Sequence, residues 1–323
     1  MKPQTRQRLR QIIPLVGTFL LLGLLIWTTD LQKFREALVH ADIGLYALVL
    51  GVGTLAVWLY DTFCVTWLVQ QTLGDRGEPL RWRDLLPVKA ASYAINAINY
   101  PLAALAISWL VSRRKQIPFL EATGALALLS YLDLLALGGL VAAGLILAPE
   151  VIASQPQYQT PVQLATALIL LGGVAGIAIV QSSWQLPLLV KLRRMPVVRP
   201  LMAMAPGKLV IGVLLRTGLV LSYATINFVL MRAFGLYPQW GRLLVVMPFL
   251  TVLGTIPASV SGIGTTQVPM RVLYAPFVLD GREPGPVIDA WSTAMIMGFV
   301  LMRLLVAAPF LRGILRELRQ RQD

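Results

Sequence analysis

Residues 241–273 read GRLLVVMPFLTVLGTIPASVSGIGTTQVPMRVL, a hydrophobic span broken at its centre by proline, serine and glycine. In a bilayer every backbone amide must find its partner within the protein. Non-helical backbone at membrane depth is therefore tolerated only inside protein or beside a water-filled cavity. The stretch reads as a re-entrant hairpin rather than a lipid-facing helix. A second interruption, AINAINYPLAALAIS at residues 94–108, lies in the first half of the chain. Broken segments in corresponding halves point to a transport site.

The chain around these breaks is 57% hydrophobic and 13% charged, about half the charge density of soluble domains. Runs long enough to cross a bilayer, roughly 20 residues each, begin near Ile12, Ile43, Phe119, Val162, Leu209 and Val287. The polar stretches 70–86 and 181–208 are too short to bury cores of their own. The expected fold is an all-α polytopic membrane protein, with about six transmembrane helices and two re-entrant helical hairpins in one integral membrane domain, residues 1–323. The N-terminal MKPQTRQRLR and the apolar run Ile12 to Trp27 resemble a signal sequence. No small-residue cleavage site follows, so an uncleaved first helix is expected. Cys64 is the only cysteine and His40 the only histidine, which excludes a disulfide framework and argues against zinc or haem. No cofactor is expected.

The net charge of +13 does not imply nucleic acid, because the basic residues cluster beside the spans and report orientation. With Lys2, Arg6, Arg8 and Arg10 in the cytoplasm, Arg76, Arg81 and Arg83 fall there too. A full crossing by residues 88–111 would put Arg113, Arg114 and Lys115 outside. A hairpin returns them inside. The loop 148–161 holds Glu150 but no Lys or Arg, as an outer loop should. Lys191, Arg193, Arg194, Arg199 and Lys208 come back inside, with the basic cytoplasmic tail 312–323. The chain then divides into residues 12–148 and 162–311, each helix, helix, hairpin, helix, with the second inverted relative to the first. Residues 33–41 read as a short amphipathic helix on the outer surface. Both termini are expected in the cytoplasm, at a bacterial plasma membrane.

Ionisable groups inside spans are costly and are functional hypotheses by default. Asp61, Asp133, Arg216 and Arg303 are such groups. Asp133 stands out, about fifteen residues into its span and near the bilayer centre by the helical rise. Structural ion pairing or snorkelling is the plainer account of all four. The hairpins offer other chemistry: Asn96, Asn99 and Tyr100 before Pro101, and Pro257, Ser259, Ser261, Gly262, Gly264, Thr265, Thr266 and Gln267 in the second break. Glycines let the backbone approach a ligand, and free amides at a half-helix start favour phosphate. Close helix packing by small residues is the alternative. Arg216, Arg271 and Arg303 are candidate phosphate contacts, with Asp133 as counter-ion or orienter.

Two enzymatic patterns fail. Tyr60-Asp61 resembles the YD of intramembrane aspartyl proteases, but Gly262-Ile263-Gly264-Thr265 has Thr where their second motif needs an acid, and one carboxylate cannot form the dyad. The same stretch lacks the third glycine and the βαβ context of a dinucleotide fingerprint. An intramembrane enzyme is the weakest reading.

IPASVSGIGTTQ at the second hairpin resembles the P-x-x-x-G-G-[IL]-G-x-x-E type of motif of the flippase-like transmembrane region of lysylphosphatidylglycerol synthases and their stand-alone relatives. NYPLAALAISWLVSRRKQIPFLEATGALALLSYLDLLAL is similar to that family's proline-led segment, basic loop and aspartate-bearing helix. The resemblance covers most of the chain and carries over Pro101, Asp133, Pro257, Gly262 and Gly264. It implies movement of lipids between leaflets by a stand-alone protein without the synthase domain. Gln267 stands where the family usually has Glu, Ser261 replaces a Gly, and the first hairpin has Ala and Leu where Gly, Glu and Arg are common. These departures leave room for a non-transporting scaffold that recruits partners. Membrane lipids are the expected partners, with a protein partner or a second copy left open. A hydrated cavity reaching both breaks would separate transporter from scaffold.

Overall fold

The computed structural model describes residues 30–74, 80–98, 100–149, 156–254 and 267–320, without the side chains of 96–102, 156–158, 252–254, 268 and 311–320. The first expected span from Ile12, and the site residues Asn99, Pro257, Ser259, Ser261, Gly262 and Gly264, lie outside the described residues. So do the side chains of Asn96, Tyr100 and Pro101.

Helix is the only regular structure among the described residues. Helix α1, Leu31–Val39, starts at Asp30, whose carboxylate accepts from the Gln32 and Lys33 amides at 3.0 and 3.2 Å. Helix α2, Ile43–Leu73, starts the same way, with Asp42 accepting from the Leu45 amide at 2.8 Å. Such caps satisfy amides that the first turn leaves free. There follow α3 (Trp82–Ile98), α4 (Tyr100–Lys115) and α5 (Phe119–Leu147). Next come α6 (Pro156–Ala167), a π turn (Leu168–Gly172) and α7 (Gly173–Gln181). The short α8 (Pro187–Arg193) and α9 (Arg199–Ala203) lead into α10 (Pro206–Ala233). The chain ends with α11 (Trp240–Gly254), α12 (Gln267–Leu273) and α13 (Pro284–Gln320).

Five helical stretches are long and apolar enough to cross a membrane: Ile43–Leu73, Phe119–Leu147, Gln159–Gln181, Pro206–Ala233 and Pro284–Phe310. They coincide with the five expected spans that fall within the described residues. Three begin slightly early, two of them because Pro206 and Pro284 open their helices, where a missing amide is no loss. Their outward faces are apolar: Leu48, Val52, Leu55, Leu59 and Phe63 line one exposed stripe of α2. The protein is therefore an all-α polytopic membrane protein.

Helices α2 and α10 run antiparallel, with the Asp42 amide on the Ala233 carbonyl at 2.8 Å and the Tyr60 hydroxyl on that of Leu215 at 3.0 Å. Helix α13 runs parallel to α2, from the Tyr46 hydroxyl on the Ala294 carbonyl to the Trp58 and Phe310 rings, 5.8 Å apart. Helices α3 and α4 pack on each other, and both outer ends meet the same end of α2. Gln70 Nε2 donates to the Leu80 carbonyl at 3.0 Å, and Lys115 Nζ to that of Gly74 at 3.1 Å. All described residues of the expected interruption 94–108 are helical, α3 running to Ile98 and α4 starting at Tyr100. Pro101 is the second residue of the new helix, a position where proline is tolerated.

The Gly74 end gathers the basic residues. Gln181 Nε2 holds the Leu201 and Met204 carbonyls at 2.9 and 2.8 Å, and Arg193 those of Val180 and Trp184 at 2.8 and 2.7 Å. The turn Pro196–Val198 lies so close to α5 that a Cβ on Gly124 would meet the Val197 carbonyl oxygen at 2.2 Å. Arg81, Arg83, Arg113, Arg114, Lys115, Lys191, Arg193, Arg194 and Arg199 thereby share one end of the bundle. The opposite end mixes signs. Lys33 meets Glu283 at 2.6 Å, a hydrogen bond that draws the ammonium pKa upward. Arg282 lies 2.6 Å from Asp280 and holds that carboxyl below its ordinary range. Helix α10 is closed off here by Gly235, φ 74°, with the Leu236 and Gly235 amides on the Met231 and Arg232 carbonyls, both at 3.0 Å. That double bond needs a left-handed residue.

Candidate functional site

Four ionisable side chains from four helices meet inside the bundle. Arg216 of α10 grips Asp133 of α5 with two nitrogens, Nε to Oδ1 and Nη2 to Oδ2, the latter at 2.7 Å. Its remaining Nη1 donates to Asp61 Oδ1 of α2 at 2.8 Å. The other Asp61 oxygen lies 2.7 Å from Lys89 Nζ of α3. The result is a chain Lys89, Asp61, Arg216, Asp133 in which charges alternate and sum to zero. Asp61 and Arg216 are each 7% exposed. Taking such charges from water is costly, and only full pairing with good geometry offsets it. The planar guanidinium fork supplies the geometry that a lysine could not.

The local sequence explains why these side chains converge. Asp133 is near the middle of α5 and Asp61 near the middle of α2. The α2–α10 register set by Asp42/Ala233 and Tyr60/Leu215 brings Arg216 opposite Asp61. Lys89 arrives on α3 because both ends of the α3–α4 pair are tied to the Gly74 end of α2. Next to Arg216, the side chains of Cys64, Trp67, Leu68, Leu129, Leu132 and Leu215 and the backbone of Gly212 pack with no room between them for a water molecule. A larger apolar layer, including Leu68, Leu73, Leu80, Val111, Leu129 and Met204, closes the network off from the basic end.

Arg303 of α13 stands one step from this chain. Tyr93, one helical turn after Lys89 on the same face of α3, lies with its ring centre 5.8 Å from Lys89 Nζ and 5.9 Å from Arg303 Cζ. The Tyr223 hydroxyl of α10 interacts with the same guanidinium. Tyr93 is 6% exposed and its hydroxyl has no hydrogen-bond partner among the described residues.

Of the site residues expected from sequence, the structure joins Asp133 and Arg216 directly and places Arg303 close by. Arg271 is elsewhere. It is held by Asp289 at 2.7 and 2.5 Å on the neighbouring α13, and Gln267, a turn earlier, reaches Thr293 Oγ1 at 3.2 Å. Lys89, Tyr93 and Tyr223 were not expected. Lys89 is a lone cation in the apolar run PVKAASYAI, and that placement was the available signal. Among the described residues there is no cluster of His, Cys, Asp and Glu fit to hold a metal.

A helical membrane bundle with a charge-balanced network at mid-span defines a polytopic membrane protein with a polar centre. The chain belongs to the lysylphosphatidylglycerol synthase transmembrane-region family, whose model matches residues 11–290. No curated protein matches it. Membership relates the chain to lipid handling in a membrane.

Proposed function

We propose that this protein moves a phosphate-bearing lipid, or a lipid-linked phosphate, between the leaflets of a membrane without modifying it. The observation that carries the reading is the buried chain Lys89, Asp61, Arg216, Asp133. Charges held at mid-span are costly and are by default candidates for a substrate pathway. The network also draws on both expected repeats: Lys89, Asp61 and Asp133 come from residues 12–148, Arg216 and Arg303 from 162–311. Sites of inverted-repeat transporters lie at that interface.

The re-entrant reading of the first break is supported by α3 and α4 meeting the same end of α2 at their outer ends. Gathering of basic residues at that end supports a cytoplasmic placement for it. Helix α13, parallel to α2, carries the C-terminus the same way. The N-terminus in the cytoplasm and a bacterial plasma membrane complete the proposal. Transport then requires the apolar layer between the network and the basic end to part, letting a headgroup exchange for internal ion pairs while acyl chains stay in lipid.

One observation favours a second reading. Packing beside Arg216 leaves no room for a water molecule, and a scaffold that only recruits protein partners, or a second copy of itself, needs none there. The two readings separate when purified protein is placed in vesicles with a panel of labelled lipids and leaflet exposure is followed. Transfer of a phosphate-bearing lipid above protein-free vesicles supports translocation. Background rates for every lipid leave the scaffold.

A further inference from the structure

We propose that Arg303, Tyr93 and Tyr223 form a binding site for a singly charged phosphodiester and that the centre discriminates against doubly charged phosphates. This rests on the reading that the centre receives a headgroup. The argument is a balance of charges. Lys89 and Arg216 are neutralised by Asp61 and Asp133 within one connected chain. Arg303 adds one positive charge, and its neighbours among the described residues are two phenols rather than a carboxylate. Residues 11–29, 94–102 and 255–266 contain no Asp, Glu, Lys or Arg, so none of these segments can alter the balance.

Among the described residues the centre therefore carries one surplus positive charge. A monoanion makes the complex neutral, whereas a dianion leaves one buried negative charge unpaired, which a low-dielectric site opposes strongly. The donors fit a phosphate. The guanidinium matches two phosphate oxygens at once, and the Tyr93 hydroxyl is a buried donor that has no partner among the described residues. Arg303 also lies past residue 290, where the family match ends.

The test uses the full chain in maltoside micelles, which contain no phosphate, with binding read by calorimetry. The probes are dihexanoyl phosphatidylglycerol, dihexanoyl phosphatidic acid at about pH 8.5, well above a phosphate second pKa of about 6, dihexanoylglycerol, and soluble glycerophosphoglycerol. Phosphatidylglycerol should bind at least about tenfold more tightly than phosphatidic acid, and dihexanoylglycerol should not bind measurably. Weak binding of glycerophosphoglycerol assigns the site to a lipid headgroup; equal binding assigns it to a soluble phosphodiester. Arg303→Gln should abolish the phosphatidylglycerol signal. Tyr93→Phe should weaken binding several-fold while leaving thermal unfolding unchanged or higher, since the lost hydroxyl has no partner in the free protein. Asp133→Asn leaves Arg216 paired with Asp61, raises the central charge by one, and should shift preference toward phosphatidic acid. Equal affinity of wild type for the two lipids, or unaltered binding by Arg303→Gln, overturns the proposal. Binding that depends on Arg303 without leaflet transfer removes translocation alone; transfer with binding indifferent to Arg303 removes this site alone.

Discussion

Arg216 and Arg271 are both gripped by a carboxylate through two nitrogens, yet they join different things. Arg216 links α10 to α5 and α2, and through Asp61 to Lys89 on α3. These elements lie far apart in sequence. Arg271 links the seven-residue α12 to Asp289 on the next helix. The first arrangement depends on how the bundle is assembled. The second holds a short helix in place. A rearrangement of the bundle must break the Arg216 contacts and can leave the Arg271–Asp289 pair intact.

Removing each arginine sharpens the contrast. Arg216→Leu strands Asp133 and leaves Asp61 with Lys89 alone, and losing one partner of a buried pair costs about 3–5 kcal/mol. Its thermal unfolding in detergent should show the largest loss of any single change proposed. Arg271→Leu takes the two-nitrogen partner from one carboxylate, Asp289 on the neighbouring helix, whereas Arg216→Leu breaks contacts to two helices. A smaller loss of about 1–3 kcal/mol follows. A loss from Arg271→Leu equal to or above that from Arg216→Leu would break the comparison. The least of the three concerns the loop end near Arg282. Gly235→Ala forces a side chain into left-handed backbone and against Arg282 Nη2, 2.2 Å from the added carbon. The flexible arginine can move aside, so the backbone term of about 1 kcal/mol should remain. An unchanged melting temperature would contradict the Gly235 conformation.

The sequence made the spans legible because lipid imposes length and apolarity directly, and proline at Pro206 and Pro284 sets where two of them begin. Asp61, Asp133 and Arg216 were legible for the same reason, since a charge in an apolar run stands out. Lys89 was not, because Arg81, Arg83 and the basic loop before it made it read as one more orienting cation. Tyr93 and Tyr223 were hidden for another cause: a phenol within a span looks like packing until a neighbour gives its hydroxyl a role. The pairing of Arg271 with Asp289 could not be read from composition, since it depends on α12 folding back against the start of α13. The first break was read too wide, because Asn and Pro in AINAINYP lower helix propensity while tertiary packing of α3 on α4 and α13 keeps both arms helical up to Ile98 and from Tyr100.

The central claim is that a headgroup passes through the Arg216 network and not past Arg271. Arg216→Lys and Arg271→Lys keep each charge while removing the fork, and both can be reconstituted at matched folded yield. Leaflet transfer of the same labelled lipid should fall about tenfold or more with Arg216→Lys, equivalent to about 1.4 kcal/mol in the barrier, and stay near wild type with Arg271→Lys. Transfer that is unchanged by Arg216→Lys, or lowered equally by both, contradicts the account.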